Sequence, residues 1–82
     1  PVCLMLGEML QAQGPRNLGF LSRGYKGNYG GTPLLVNDAH SANEVGDEPL
    51  LLKEYGTVCI SYQRDEGARL LEQQNVDCII MD

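Results

Sequence analysis

No run of apolar residues in this 82-residue chain approaches the roughly 18 that a membrane-spanning helix requires. The first residues carry no signal-peptide pattern. Lysine and arginine are scarce, six against eleven aspartates and glutamates, and the net charge of −5 argues against a nucleic-acid surface, which favours basic patches. A single histidine, His40, excludes a multi-histidine metal site within these residues and reads as an exposed loop residue without a role. Cys3, Cys59 and Cys78 are widely spaced, form no CxxC pair and sit among apolar neighbours. That is the pattern of small buried hydrophobes in a reducing compartment. There is no internal repeat and no low-complexity segment. The glycine-rich Tyr29-Gly30-Gly31 stretch is not a phosphate loop, because no Gly-Lys-Ser/Thr follows it and no helix opens after it.

What is present is an alternation of short helices and strands. Val2, Met5, Leu6, Met9 and Leu10 recur at i, i+3, i+4, i+7 and i+8, which predicts a helix from about Val2 to Gln13 with those residues along one face. Gly14-Pro15 ends it. Leu18 to Ser22 reads as a strand, Asn28 to Thr32 as a mobile turn, Pro33 to Val36 as a short edge strand, and Asp38 to Val45 as a polar loop. Gly46-Asp47-Glu48-Pro49 opens a short helix, with Asp47 as N-cap and Pro49 in the first turn. Thr57 to Ser61 is a strand, and Arg64 to Gln74 is a helix with Ala68 and Leu71 on one side. The last strand, Val76 to Met81, is an almost unbroken apolar run, the pattern of a strand buried on both faces of a parallel sheet. This order implies right-handed crossovers and a mostly parallel sheet, hence an α/β half-domain.

At 82 residues such a unit buries only about 60–65% of the surface its unfolded form exposes, so its stability alone is marginal. The helical pattern starts at Pro1 with no initiating methionine and no capping residue. We therefore expect the chain to be cut from a longer one at both ends.

Three segments meet at the carboxyl ends of the strands, the side on which open parallel sheets bind ligands. They are Arg23-Gly24-Tyr25, Gly46-Asp47-Glu48-Pro49, and Asp82, which closes the last strand. One cation, one aromatic ring and three carboxylates suit phosphoryl transfer, which needs charge on the phosphates and a carboxylate for the attacking hydroxyl. Each has a plainer alternative. Asp47 as an N-cap stabilises its helix by about 1 kcal/mol without any chemistry. Arg23 binds phosphate or is a solvated turn residue. Tyr25 stacks on a substrate or covers the sheet end. Asp82 holds a Mg²⁺ that accompanies a nucleotide, or merely ends a strand.

Leu21-Ser22-Arg23-Gly24-Tyr25-Lys26-Gly27, then Val45-Gly46-Asp47-Glu48-Pro49-Leu50-Leu51-Leu52, then Asp77-Cys78-Ile79-Ile80-Met81-Asp82 together resemble the tetraacyldisaccharide 4'-kinase family. The resemblance spans nearly the whole chain in order, with weaker matches at Arg64 and Gly67-Ala68 between the motifs. It implies a P-loop NTPase-like, three-layer α/β domain of which this chain is part. It also implies transfer of the γ-phosphate of ATP, with Mg²⁺, to the 4'-hydroxyl of a lipid A precursor at the cytoplasmic face of the bacterial inner membrane. Pro1 resembles the proline closing the family's Gly-Lys-Thr-Pro phosphate loop, which places that loop upstream, and Asp82 resembles the first aspartate of its metal-associated acidic motif. Asp47 resembles the carboxylate proposed as base on the sugar hydroxyl, working with a histidine downstream. Glu48 is implied to support the metal or the site geometry, and Arg23 and Tyr25 to lie near substrate. Lys26 departs from the glycine found in many members. The alternative is a nucleotide-binding or regulatory α/β module in which Asp47 is only a cap.

Overall fold

A computed structural model describes residues 2–14, 16–23 and 33–81. Helix α1 spans Val2–Ala12 and leads into strand β1, Leu18–Ser22. Strand β2, Leu34–Leu35, is followed by two short helices, α2 at Ala42–Val45 and α3 at Asp47–Leu52. Strand β3, Thr57–Ile60, helix α4, Arg64–Glu72, and strand β4, Cys78–Met81, complete the described chain.

The four strands form one mixed sheet in the order β2-β3-β1-β4. β1 lies at its centre, parallel to both β3 and β4, while β2 joins the β3 edge antiparallel. Alternation of side chains along the strands sorts the core into two layers. Leu18 and Phe20 of β1, Val58 and Ile60 of β3 and Ile80 of β4 pack in one cluster with Cys3 of α1, Val45 of α2 and Leu52 of α3. Leu21, Cys59 and Leu71 form the other, with Ala68, Leu70, Val76 and Ile79 against them, beneath α4. Helices therefore cover both faces of a mostly parallel sheet, the α/β arrangement expected from the alternation of elements.

Four expectations are corrected. First, the apolar face given by the spacing is not the one that meets the sheet: Cys3 and Gly7 are buried, with Leu4 and Leu10 half-buried, whereas Val2, Met5, Leu6 and Met9 are exposed. The narrow side of the helix lets it approach β1 closely; a Cβ on Gly7 would stand 2.8 Å from Phe20 Cζ. Second, the strand buried along its whole length is β1, not the last one. β4 is the outer strand among those described, and Met81 is exposed. Third, the polar loop before Asp47 contains α2. Its first turn is held by the Ser41 N–H, which donates to the Glu44 carboxylate at 2.9 Å. Fourth, His40 is half-buried and accepts the Asn37 N–H on Nδ1 at 3.0 Å, which folds the Asn37–His40 turn. The expected turn at Asn28 to Thr32 lies outside the described residues.

Candidate active site at the sheet rim

The carboxyl ends of β1 and β3 are tied together beyond the regular ladder, since Ser61 N–H donates to Ser22 O at 2.9 Å. Ser61 is buried, and its hydroxyl donates to Gln63 O at 2.8 Å and accepts Gln63 N–H at 3.1 Å. This closed turn fixes where α4 begins and places Arg64 at its first position. Gly67, one turn on, lets α4 sit directly on the sheet, because a Cβ there would collide with the Leu21 side chain and stand 3.0 Å from Ser61 Cβ. The result is a narrow cleft lined by Leu21, Ser22, Arg23, Ser61, Arg64 and Met81. Its floor has no room for a ligand, so an anion bound here would rest at the mouth, where Arg23 and Arg64 are both exposed.

Arg64 lines this cleft although the motifs do not single it out for chemistry. A cation in the first turn opposes the helix dipole, at a cost of about 0.3–1 kcal/mol. Asp65 and Glu66 follow it in the same turn. In sequence these three charges read as a solvated helix face, so the signal lay in the position of Arg64 just past a strand end.

The second motif stands at the start of α3. Gly46 takes φ +93°, a conformation L side chains rarely adopt, and its N–H donates to Ala42 O at 2.7 Å. It joins α2 to α3 in a single residue, so Gly46 is the N-cap and Asp47 the first helical residue, a correction to the expected capping role. Asp47 is exposed and Glu48 half-buried, and both carboxylates lie in the first turn, where the helix dipole favours them. Pro49 is buried and needs no N–H partner there. At its other end α3 reaches β3 through Gly56, where an added Cβ would collide with the Leu18 carbonyl at the amino end of β1. α3 packs through Leu52 in the same core layer as α1, and Asp47 is not among the residues that line the cleft of Arg23 and Arg64.

Tyr25 and Asp82 lie outside the described residues; Met81, which precedes Asp82, lines the cleft. Among the described residues no group of three or more His, Cys, Asp or Glu side chains is placed to hold a metal ion. Magnesium is commonly held by one or two carboxylates together with substrate phosphates and water, so a full protein cage is not required of such a site. Burial raises the Cys59 thiol, which leaves it inert as a nucleophile.

The model of the family described as tetraacyldisaccharide-1-P 4'-kinase matches residues 1–82. Among curated relatives, a tetraacyldisaccharide 4'-kinase of Allorhizobium ampelinum is 44% identical over 82 residues, covering 100% of this chain and 24% of the relative. One from Methylorubrum populi is 46% identical over 83 residues, covering 100% of this chain and 25% of its own length. One from Rhizobium leguminosarum bv. trifolii is 43% identical over 82 residues, again covering 100% of this chain and 23% of the relative. The chain thus spans about a quarter of the length of the relatives it matches. No solved structure matches it.

Proposed function

Because the chain belongs to the tetraacyldisaccharide-1-P 4'-kinase family, we propose that the protein carrying it transfers the γ-phosphoryl group of ATP to the 4'-hydroxyl of a tetraacyldisaccharide 1-phosphate. The observation that supports this reading is the cleft between β1 and α4, with two arginines, Arg23 and Arg64, exposed at its mouth. Phosphoryl transfer relies on positioning and charge stabilisation more than on covalent chemistry, and this rim offers both.

In the proposed reaction Asp47 accepts the proton of the 4'-hydroxyl as its oxygen bonds to the γ-phosphorus and the bond to the bridging oxygen of ADP breaks. Arg23 and Arg64 neutralise charge on the phosphoryl oxygens at the mouth of the cleft. Glu48 supports the geometry beside Asp47, and Tyr25 contributes to the substrate side. Mg²⁺ bound with ATP would further neutralise the phosphates, with Asp82 as one carboxylate toward it. We assign the chain to part of a P-loop NTPase-like domain whose phosphate loop and remaining strands are supplied by the longer polypeptide. Among the described residues no helix is long and apolar enough to cross a membrane. We place the intact protein at the cytoplasmic face of the inner membrane because its proposed substrate is a lipid.

The test is transfer of labelled γ-phosphate by the intact protein. Product phosphorylated at the 4'-position is expected, and none from the 82-residue segment alone. Nucleotide binding by the intact protein without any transfer would instead support the regulatory module.

A further inference from the structure

The outward side of α1 is apolar where a surface helix should be polar. Val2, Met5, Leu6 and Met9 are 70%, 60%, 41% and 58% exposed, and they recur at i, i+3, i+4 and i+7, so they form one continuous stripe. The opposite side of the same helix packs Cys3, Leu4 and Leu10 on the sheet. α1 is therefore apolar on both sides, the pattern of a helix buried inside a larger protein. Its neighbour α3, on the same face of the sheet, adds the exposed Leu51. We propose that this stripe is an intramolecular docking face, covered in the intact protein by an apolar element from the polypeptide outside these 82 residues.

Three observations select that occupant. Relatives that match the whole chain are about four times its length, so ample polypeptide of the same molecule is available to cover the stripe. An anionic lipid surface is disfavoured, because α1 carries Glu8 and no basic residue, and the chain has net charge −5. A second copy is disfavoured by size. A helix of 11 residues is about 16 Å long, and four side chains along it fall well short of the ~800 Å² per partner of a standard interface. A contact within one polypeptide does not bear the translational and rotational cost of association, so a small stripe suffices. The inference needs the longer polypeptide but not the proposed phosphoryl transfer, and its test reads no activity.

Met5→Cys and Met9→Cys are introduced separately into the intact protein, and thiol labelling at each position is compared in native and denatured protein. The docking face predicts labelling at least about tenfold slower in the native state, independent of protein concentration and of added lipid. Native labelling within about twofold of the denatured rate at both positions overturns the proposal. Protection that appears only with anionic vesicles overturns it in favour of a membrane surface, and protection that rises with protein concentration overturns it in favour of a second copy. Circular dichroism matching the parent shows that each variant is folded, and the two positions are read independently.

Discussion

Arg64 and Asp47 occupy first helical positions of opposite electrostatic sense. Asp47 is where the helix dipole welcomes a carboxylate, so its presence alone is no sign of chemistry. Arg64 is where the dipole disfavours a cation, so function and stability pull apart there. Arg64→Ala is expected to lower kcat/KM of the intact protein by about 10- to 100-fold, the loss of one charge-assisted contact to phosphate. Its thermal midpoint should be unchanged or slightly raised. Steady-state kinetics with a melting curve on the same sample checks both, and a destabilised variant with unchanged kinetics would make Arg64 structural. Asp47 was legible in sequence through the Gly46-Asp47-Glu48-Pro49 motif. Its place in the helix differs by one residue from the expected cap, because nothing in the letters shows that Gly46 adopts φ +93° and takes the cap itself. Arg64 was not legible as a site residue, because its meaning depends on Ser61 and Ser22 lying beside it across two strands.

The elements were read well where pattern and burial agree and poorly where a pattern admits two faces. β1 carries the bounds expected of it, and α4 keeps Leu71 buried beneath it as its spacing implies. α1 has two apolar sides, and the richer one is not the one that meets the sheet. Close approach decides the matter: Gly7 fits against Phe20 of β1, where a Cβ would stand 2.8 Å from its ring, and Cys3 packs in the same core layer. α2 was missed since four residues give no period to read, and its start depends on a capping contact. That contact makes a pH prediction. The Ser41 N–H, which donates to Glu44, holds this carboxyl below its ordinary value, with the hydroxyl of Ser41 and the charge of His40 acting in the same direction and desolvation against them. A folded-state value below the unfolded one means the contact stabilises fully above the unfolded pKa and is lost as pH falls through the folded one. The Ser41 amide resonance should therefore shift with a midpoint below that of an unstructured glutamate. A midpoint equal to the free value would remove the capping contact from the account.

Over the whole molecule, two core layers flank a four-stranded sheet whose rim carries Arg23 and Arg64, in a chain of net charge −5. The apolar stripe on α1 and the outer position of β4 among the described strands both suit a unit embedded in a larger fold. The relatives, of which this chain spans about a quarter, are consistent with that. The α/β class and the mostly parallel sheet were legible from the order of elements. The packing of α1 was not, because it is set by contacts between distant segments. The central claim is that the intact protein moves a phosphoryl group to a sugar hydroxyl with Asp47 as the base. Single-turnover transfer from ATP to the tetraacyldisaccharide 1-phosphate, measured for the intact protein and its Asp47→Asn variant at saturating substrates, tests it most directly. With Asp47 as the base, the transfer rate of the variant falls by about 10² or more, with lipid and nucleotide affinities unchanged. An unchanged transfer rate in Asp47→Asn would contradict it.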